Sequence, residues 1–402
     1  MKLKNVPERD MKDERKREVM DLCSKMIQIS SITGEEKALV KFLEGEMKTL
    51  GFDTVRVDER GSIIGKIKGR GSGKTILFDG HLDTVPVSSQ SFWTKDPFSA
   101  DIENGKMYGR GTSDMKGALA SMIMAASFLK RDGGTDGDVY VSGTVFEEVA
   151  EGWALDFILD AIQPDIVIIG ESTELNLNIG QRGRAEIIIK TKGIPAHSSN
   201  PEAGVNAVYK MVSLIEKING ISVPVSPTLG EGTIVLTDII STPYPGASVI
   251  PEICSATFDR RLLTGETKDS VLKPIKEVIL ELSKSDTTFN AEVSIAEAEL
   301  ETYTGYKAKH YKFAPAWILD ADNAAIEKAL TALRETGLNL VEIGIYSFCT
   351  NGSSSAGIHN ITTLGFGPGR EDHAHINDEY VEIEELIMAC EGYYALAVEL
   401  TV

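Results

Sequence analysis

Histidine and carboxylate side chains occur at several points where an apolar stretch ends, and the clearest case is His81-Leu82-Asp83 after the apolar run 75–78. In an extended chain, residues two apart face the same side. His81 could therefore bind a metal ion while the Asp83 carboxylate accepts a hydrogen bond from the other ring nitrogen and fixes its orientation. A histidine at a strand end can equally be structural, so this segment alone leaves both interpretations open.

Asp114 and the pair Glu147-Glu148 extend this pattern. Asp114 lies in the Gly-rich turn 109–117 just before a helix, where a carboxylate commonly caps the helix instead. Glu147 and Glu148 follow the apolar strand predicted at 139–145. Two adjacent carboxylates are costly to bury there unless they are paired or bind a cation, so this pair favours a metal site.

Glu171 follows a further short apolar strand, and His373 and His375 follow a Gly-rich turn. With one histidine taken from this last pair, the segments provide two histidines and three carboxylates, while Glu147 and Asp83 are left for other roles. This inventory suits two zinc ions about 3.5–4 Å apart with one bridging carboxylate and one bridging water. The sequence therefore predicts a two-metal site.

Strands alternate with helices around these segments, which predicts an α/β domain with a mostly parallel sheet flanked by helices, and ligands at the carboxyl ends of its strands. Within 182–300 the pattern becomes strand-helix-strand-strand-helix-strand, the split βαβ arrangement of a small, ferredoxin-like α+β domain. We expect one domain from 1–181 and 301–402, with 182–300 inserted. Thr33 and Glu36 have the spacing of a capping box at the start of a helix.

The chain has 402 residues, with 60 acidic and 41 basic side chains and a net charge of -19. Nucleic acids and anionic membranes need clustered Lys and Arg, so neither is expected as a partner. No apolar run approaches the roughly 20 residues that span a bilayer, and the charged N-terminus has no signal-peptide core. The four cysteines are scattered without a C-x-x-C pair, which is typical of a reducing compartment. We therefore expect a cytoplasmic protein.

Taken in order, these motifs resemble the M20 metallopeptidase family, which includes acetylornithine deacetylases, succinyl-diaminopimelate desuccinylases, aminoacylases and glutamate-releasing carboxypeptidases. The resemblance runs from Ser31-Ile32-Thr33-Gly34-Glu35 to Asp378-Glu379-Tyr380. The segments 180–184, 259–263 and 365–369 resemble a deacetylase-like branch linked to selenium metabolism. The resemblance implies that the first domain is catalytic and binds zinc, and that the inserted domain is a lid that forms a homodimer.

By this resemblance, five side chains would hold two Zn²⁺ ions, for which Co²⁺ or Mn²⁺ could substitute. Asp114 would bridge the two ions. His81 and Glu171 would bind one of them, and His375 and Glu148 would bind the other.

The choice of His375 over His373 rests on the preceding Ala374 and on the ending 378–380, which match the family. His373 is then expected to be a solvated neighbour. Glu147 would be the general base: it would take a proton from the bridging water, whose hydroxide attacks the amide carbon, and pass it to the leaving amine.

The inserted domain would supply contacts to the substrate. His197 resembles a lid histidine that reaches the developing oxyanion from the neighbouring subunit of the dimer. Arg182 and Arg261 match positions that grip a substrate carboxylate, a task suited to a guanidinium. Ser248 stands where relatives have a substrate-contacting Asn, which puts the acyl specificity in question. Arg260 lies on the opposite face of the strand of Arg261 and is expected to form a surface pair.

These features predict two-metal hydrolysis of an amide bond in a small N-acyl amino acid, of the deacetylase or desuccinylase type. A dipeptidase or carboxypeptidase that uses the same site is the alternative within the enzymes. Phe146 stands where the family usually has Asp, which predicts a more apolar pocket near Glu147, and Ser172 replaces a proline. A binding or scaffold protein that lost catalysis is the alternative of another class, but such a protein would lack at least one of the seven site residues, and all seven are present.

Overall fold

A computed structural model describes residues 11–87, 89–338 and 340–402. Within them the helices are α1 (Asp13–Ile27), α2 (Lys37–Thr49), α3 (Gly117–Arg131), α4 (Trp153–Ile162), α5 (Ala207–Ile218), α6 (Lys268–Ser285), α7 (Ala324–Glu335), α8 (Gly352–Ser355) and α9 (Ile383–Leu400). The strands are β1 (Thr54–Val57), β2 (Ile63–Ile67), β3 (Ile76–His81), β4 (Ile102–Glu103), β5 (Lys106–Tyr108), β6 (Val139–Thr144), β7 (Ile166–Ile169), β8 (Leu177–Gln181), β9 (Gly183–Lys192), β10 (Val225–Ser226), β11 (Gly230–Glu231), β12 (Thr233–Thr242), β13 (Ile253–Leu262), β14 (Asn290–Ile295), β15 (Glu297–Glu301), β16 (Lys307–Tyr311), β17 (Phe313–Ala314), β18 (Trp317–Ile318), β19 (Ile343–Tyr346), β20 (Thr362–Gly365) and β21 (Tyr380–Glu382).

The chain divides into two compact units. The first comprises the residues up to Gln181 together with Leu300–Ala308 and Ile318–Val402, and the second comprises Arg182–Glu299 and Lys309–Trp317. The short return of the chain at 300–308 means that the second unit is built from two segments.

The first unit is built on a mixed sheet in which the strands follow the order β1-β2-β6-β3-β7-β20-β8, with β19 beside β8. The four central strands, β6, β3, β7 and β20, are parallel to one another, and β2 and β8 pair with the outer two in antiparallel fashion. The predicted α/β class is confirmed. The parallel strands form the centre of the sheet because both of its faces are covered there, as such strands require.

Three of these central strands position the candidate residues. The strands β3, β6 and β7 are buried almost throughout, which matches the apolar runs read from the sequence. They are parallel neighbours, so their carboxyl ends lie at one edge of the sheet. The helix α3 is buried along 117–129 and donates the Ser121 hydroxyl to the carbonyl of Leu386 in α9, which anchors the helix that follows the Asp114 turn.

The second unit has the predicted strand-helix-strand-strand-helix-strand order, with an antiparallel sheet in the order β12-β13-β9-β14. The inserted α+β domain is therefore confirmed. One face of the sheet packs on α5 and α6, and its core includes Ile187, Phe258, Met211, Leu214 and Ile275. Alternating burial along β13 is the period of two expected for a sheet with one covered face.

The capping box predicted at Thr33 and Glu36 is wrong. The helix α2 begins after Glu36 without a side-chain cap. The Thr33 hydroxyl instead donates to Asp83 Oδ2 over 2.8 Å, because the segment between α1 and α2 packs beneath the carboxyl ends of the strands.

No described helix combines the length and the apolar character needed to cross a bilayer.

Candidate metal centre

Each candidate ligand comes from a loop at one edge of the first unit's sheet. His81 ends β3, Glu148 lies in the turn that follows β6, and Glu171 follows β7. Asp114 lies in the irregular helical turn Thr112–Lys116 before α3. His375 follows the short helical turn at 371–373 and has a left-handed backbone conformation, with φ of 64°.

Asp114 lies between the two histidines. Its Oδ1 is 2.8 Å from His81 Nε2, and its Oδ2 is 3.0 Å from His375 Nε2. Glu171 Oε1 lies 3.6 Å from His81 Nε2, and Glu148 Oε2 lies 3.0 Å from His375 Nε2. The structure thus brings all five candidate ligands together, with one glutamate beside each histidine and the aspartate shared.

The ring orientation of His81 is fixed by Asp83, but not in the way predicted. His81 Nδ1 lies 2.8 Å from the main-chain carbonyl oxygen of Asp83 and 3.8 Å from its carboxylate Oδ1. The predicted bond to the carboxylate is therefore wrong, because the carboxylate accepts from the main-chain N–H groups of Glu147 and Glu148. Because the Nδ1 atom is bound to the carbonyl of Asp83, the Nε2 atom of His81 faces Asp114.

Glu147 is buried, with 6% of its surface exposed. Its Oε1 accepts no hydrogen bond from the described residues, although ligand atoms of Glu147, His81 and Glu171 lie within 4.8 Å of one another. Burial raises the pKa of Glu147 well above its usual value, and the neighbouring Glu171 adds to the effect. A buried carboxylate with one oxygen that accepts no hydrogen bond is costly to the fold, and groups with shifted pKa values of this kind are common at catalytic sites.

The cluster holds more negative than positive groups. Burial and the charge of Asp114 raise the pKa of Glu171 to about 8. Hydrogen bonds to Asp114 and Glu148 raise the pKa of His375 to about 10, while the histidines outweigh burial and lower the pKa of Asp114. Four carboxylates with two imidazoles form a donor set of nitrogen and oxygen atoms that divalent zinc, cobalt or manganese accepts.

Residues 77–399 match the family model for peptidase family M20/M25/M40. This chain belongs to that family. Among its curated relatives, the uncharacterized protein YgeY of Escherichia coli strain K12 is 32% identical over 92% of this chain and 91% of its own length. A succinyl-diaminopimelate desuccinylase of Dinoroseobacter shibae is 28% identical over 65% of this chain and 72% of its own length.

Solved structures of M20 proteins share the fold. Aminopeptidase PepT of Bacillus cereus superposes with a TM-score of 0.75 at 20% identity, covering 96% of this chain and 99% of the other. The YXEP protein of Bacillus subtilis, described as a dinuclear metal binding peptidase of the M20 family, superposes with a TM-score of 0.73 at 15% identity, covering 97% and 100%. Because it belongs to peptidase family M20, this chain is a metal-dependent hydrolase that acts on amide or peptide bonds.

Glu379 supports this M20 site in a way that sequence reasoning missed. Its carboxylate accepts from Arg110 Nη1 over 2.6 Å and from the main-chain N–H groups of Ser113 and Asp114 over 2.9 and 3.1 Å. Burial raises its pKa to about 7. The motif Asp378-Glu379-Tyr380 indicates the family, but no local pattern indicates that its glutamate accepts a hydrogen bond from a turn 265 residues earlier in the chain.

His373 lies outside the cluster of candidate ligands. Its ring stacks on Tyr380, with the ring centroids 4.3 Å apart, and only 16% of its side chain is exposed. The expectation of a solvated ring is therefore wrong, because the neighbouring strand β21 supplies an aromatic surface to cover it.

The second unit carries the four predicted substrate-side residues. His197 is exposed, and its Nδ1 accepts from the main-chain N–H and the hydroxyl of Ser199 over 3.1 and 2.7 Å. It forms a backbone bridge with Val249, the neighbour of Ser248, so the loops that carry His197 and Ser248 are joined. The Arg182 guanidinium donates to the carbonyl of Glu231.

Arg261 and Arg260 point to opposite faces of β13. Arg261 Nε lies 2.9 Å from Asp259 Oδ1, and Arg184 on the adjacent strand binds Asp259 Oδ2 over 3.0 Å. Arg260 is buried and lies 2.6 Å from Glu266. The surface pair predicted for Arg260 is wrong, because the face opposite Arg261 is the one that packs on the helices.

Proposed function

We propose that this M20 enzyme hydrolyses the amide bond of a small N-acyl amino acid with two divalent metal ions. The observation that carries the proposal is the position of Asp114, whose two carboxylate oxygens face two different histidines at 2.8 and 3.0 Å. Two histidines that bind a single ion would direct their ring nitrogens at the same point. Here the two rings face different oxygens of one carboxylate, an arrangement that suits a pair of ions sharing that carboxylate.

The five clustered side chains fit such a pair. His81 with Glu171 and His375 with Glu148 would each hold one ion, and Asp114 would join them. The Nε2 atoms of both histidines face the carboxylates, and the Asp83 carbonyl at His81 Nδ1 fixes the tautomer that leaves Nε2 able to bind a metal. When bound, the ions would polarise the amide carbonyl and lower the pKa of water toward about 7. Zinc is the proposed metal, with cobalt or manganese as substitutes.

Glu147 is the proposed general base and acid. It is the buried carboxylate of the cluster that has an oxygen without a hydrogen-bond partner among the described residues. Its ligand atom lies within 4.8 Å of those of His81 and Glu171, a position that suits a group that accepts a proton from the attacking water and passes it to the leaving nitrogen. Asp83 accepts from the N–H groups of Glu147 and Glu148 and so orients both.

His197 is proposed to stabilise the oxyanion. Because its Nδ1 accepts from Ser199, the proton of the neutral ring is on Nε2, where it can be donated to a developing negative charge. Arg261 and Arg182 are proposed to bind the substrate carboxylate, and Ser248 to contact the acyl group.

A dipeptidase or carboxypeptidase is the second candidate within this chemistry. The aminopeptidase PepT and human carnosine dipeptidase 1 share the fold, the latter with a TM-score of 0.70 at 17% identity. The succinyl-diaminopimelate desuccinylase is 28% identical to this chain, compared with 20% for PepT and 17% for carnosine dipeptidase 1. This difference favours hydrolysis of an N-acyl amino acid. A scaffold without catalysis is disfavoured because the metal cluster and Glu147 are complete.

The proposal of a homodimer rests on the exposed apolar side chains of β12, the outer strand of the second unit's sheet. Val235, Ile239 and Ile240 on this strand are 53%, 44% and 51% exposed. A long apolar edge strand readily pairs with another strand, and a second copy of the chain would supply one.

None of the four cysteines, all of them described and buried, forms a disulfide, which is compatible with the proposed cytoplasmic location.

The substrate class is tested with the purified chain loaded with zinc, cobalt or manganese. Release of amine from N-acetyl amino acids, N-succinyl amino acids and dipeptides is measured in parallel, and metal content is measured by mass spectrometry. We expect two ions per chain and a kcat/KM for at least one N-acyl amino acid that exceeds the values for dipeptides. Turnover of dipeptides alone would favour the second candidate, and full activity with one ion per chain would contradict the two-metal proposal.

A further inference from the structure

The turn that follows β6 presents three consecutive main-chain N–H groups to carboxylates from distant parts of the first unit. The N–H of Phe146 donates to Glu36 Oε1 over 3.4 Å. The N–H groups of Glu147 and Glu148 donate to the two oxygens of Asp83 over 3.1 and 3.2 Å. The backbone of the proposed base is therefore held by one carboxylate on each side of the turn.

Phe146 needs such support because its backbone is left-handed, with φ of 62°. This conformation is unfavourable for a residue other than glycine. The ring of Phe146 packs against Trp153, with centroids 6.0 Å apart, and its edge faces Gly34, where a Cβ would lie 3.6 Å from Phe146 Cζ. The turn directs the next residue, Glu147, away from the line of the strand.

Apart from a hydrogen bond to the nearby Gly34, the Glu36 carboxylate has no other evident structural role. It is fully buried, and the helix α2 that follows it makes no use of it as a side-chain cap. Its Oε1 also accepts from the N–H of Gly34 over 2.9 Å, while its Oε2 accepts no hydrogen bond from the described residues. Burying a carboxylate in this way costs stability, so local structure alone does not explain its presence.

We infer that Glu36 is a positioning residue for the reaction, whose carboxylate holds the left-handed turn at Phe146 so that Glu147 points into the metal cluster. The inference rests on the proposed function in one respect, namely that Glu147 is the base. Glu36 touches neither the candidate ligands nor the substrate region, and it acts through the main chain of Phe146.

The test compares Glu36→Ala, Glu36→Asp and Glu36→Gln in the metal-loaded enzyme. Displacing a catalytic group by about 1 Å can cost on the order of 10²-fold in rate, so we expect Glu36→Ala to lower kcat about 10²-fold while KM and two bound ions per chain are kept. Glu36→Asp withdraws the carboxylate by one methylene and should lower kcat about tenfold. Glu36→Gln keeps an oxygen acceptor and should restore kcat to within about threefold of wild type.

Hydrogen exchange of the peptide 145–152 gives a readout that is independent of turnover. We expect faster exchange there in Glu36→Ala and in Glu36→Asp, and unchanged exchange in Glu36→Gln. The matched control is Asp58→Ala, which removes another carboxylate that accepts main-chain bonds, from Gly61 and Ser62. This control should lower Tm without changing kcat or exchange at 145–152.

Wild-type kcat and exchange in Glu36→Ala, or in Glu36→Asp should the Ala variant not fold, would overturn the inference. Equal losses in Glu36→Gln and Glu36→Ala would also overturn it, because the acceptor oxygen would then not matter. If the wild-type enzyme releases no amine from any substrate, the proposed function fails, whereas the exchange at 145–152 still decides whether Glu36 holds the turn.

Discussion

Glu147 and Glu148 are neighbours in the chain but meet different surroundings. Glu148 Oε2 lies 3.0 Å from His375 Nε2, whereas Glu147 Oε1 has no hydrogen-bond partner within the described residues. The two side chains diverge because Asp83 holds both of their N–H groups after the turn at Phe146. In the proposed mechanism the carboxylate of Glu148 would bind a metal ion and that of Glu147 would accept a proton.

Glu147→Gln should separate these two roles. The amide cannot take up a proton, so we expect kcat to fall by about 10²–10⁴-fold, while two ions per chain and the KM are kept. Steady-state kinetics with metal analysis by mass spectrometry measure both. The control is Glu174→Gln, an exposed acid in the turn after β7 that pairs with Arg370 and should keep wild-type kcat. Turnover by Glu147→Gln at the wild-type rate would require another base.

Glu36 should also make stability depend on pH. Burial, with a contribution from Asp83, raises its pKa from 4.5 to about 7. Because the folded pKa is the higher one, the folded state retains the proton between about pH 4.5 and 7, and its stability falls as the pH rises through that window. Glu36→Gln does not titrate, so its Tm relative to wild type should rise from pH 5 to pH 8, by an equivalent of up to roughly 3 kcal/mol.

Thermal unfolding of both metal-loaded proteins at a series of pH values measures this difference. A constant offset between Glu36→Gln and wild type is expected in addition, because the amide group buries a donor where the carboxylate had an oxygen. An offset that does not change between pH 5 and 8 would show that Glu36 has an ordinary pKa.

At the scale of elements, the Asp114 turn is held by the segment that leads into β21. Glu379 pairs with Arg110 at 2.6 Å and accepts from the N–H of Asp114, and both charged side chains are buried. The buried Lys116 donates to the carbonyls of Met26 and Ile29 and ties the other end of the turn to α1. Two distant elements therefore orient the shared carboxylate.

Glu379→Gln should weaken metal binding. Loss of a partner that orients a metal ligand typically costs 10–100-fold in affinity, and we expect a change of that size in competition titrations of zinc against a chelator. Glu266→Gln is the matched control, since it alters the buried pair of Arg260 and Glu266 in the second unit, also 2.6 Å apart. Both variants should lose stability, but only the first should lose zinc affinity. Equal zinc affinity in the two variants would contradict a role of Glu379 in the site.

At the scale of the whole molecule, the residues proposed to bind metal and those proposed to bind substrate lie in different units. The first carries the candidate metal ligands, and the second carries His197, Arg182, Arg261 and Ser248. The proposed dimer would supply His197 from the neighbouring subunit, so association and activity should depend on each other.

Ile240→Lys places a charge on the outer strand β12 and should disrupt the proposed dimer. We expect sedimentation to show a monomer where wild type is dimeric, with kcat lowered at least 10²-fold, the scale of losing one oxyanion donor, and with two ions still bound. The control is Ile358→Lys, an exposed apolar residue of the first unit, which should leave both properties unchanged. A fully active monomer would contradict the contribution of His197 from a partner.

The sequence by itself determined the α/β class, the inserted domain and the residue types of the metal cluster. Apolar runs of strand length show where buried strands end, and polar side chains placed after them are conspicuous because burial penalises them. The strand predicted at 139–145 is β6, Val139–Thr144, since the apolar pattern of a buried element is a local property.

Only the tertiary structure decided which groups meet. The hydrogen bond from Thr33 to Asp83 and the hydrogen bond from Phe146 to Glu36 join residues 50 and 110 positions apart. No local pattern encodes such contacts, because they arise from the order in which strands lie in the sheet. The capping box wrongly predicted at Thr33 and Glu36 has the same origin. Both side chains have the spacing of a helix cap, but in the folded chain Thr33 donates to Asp83 and Glu36 accepts from Gly34 and Phe146.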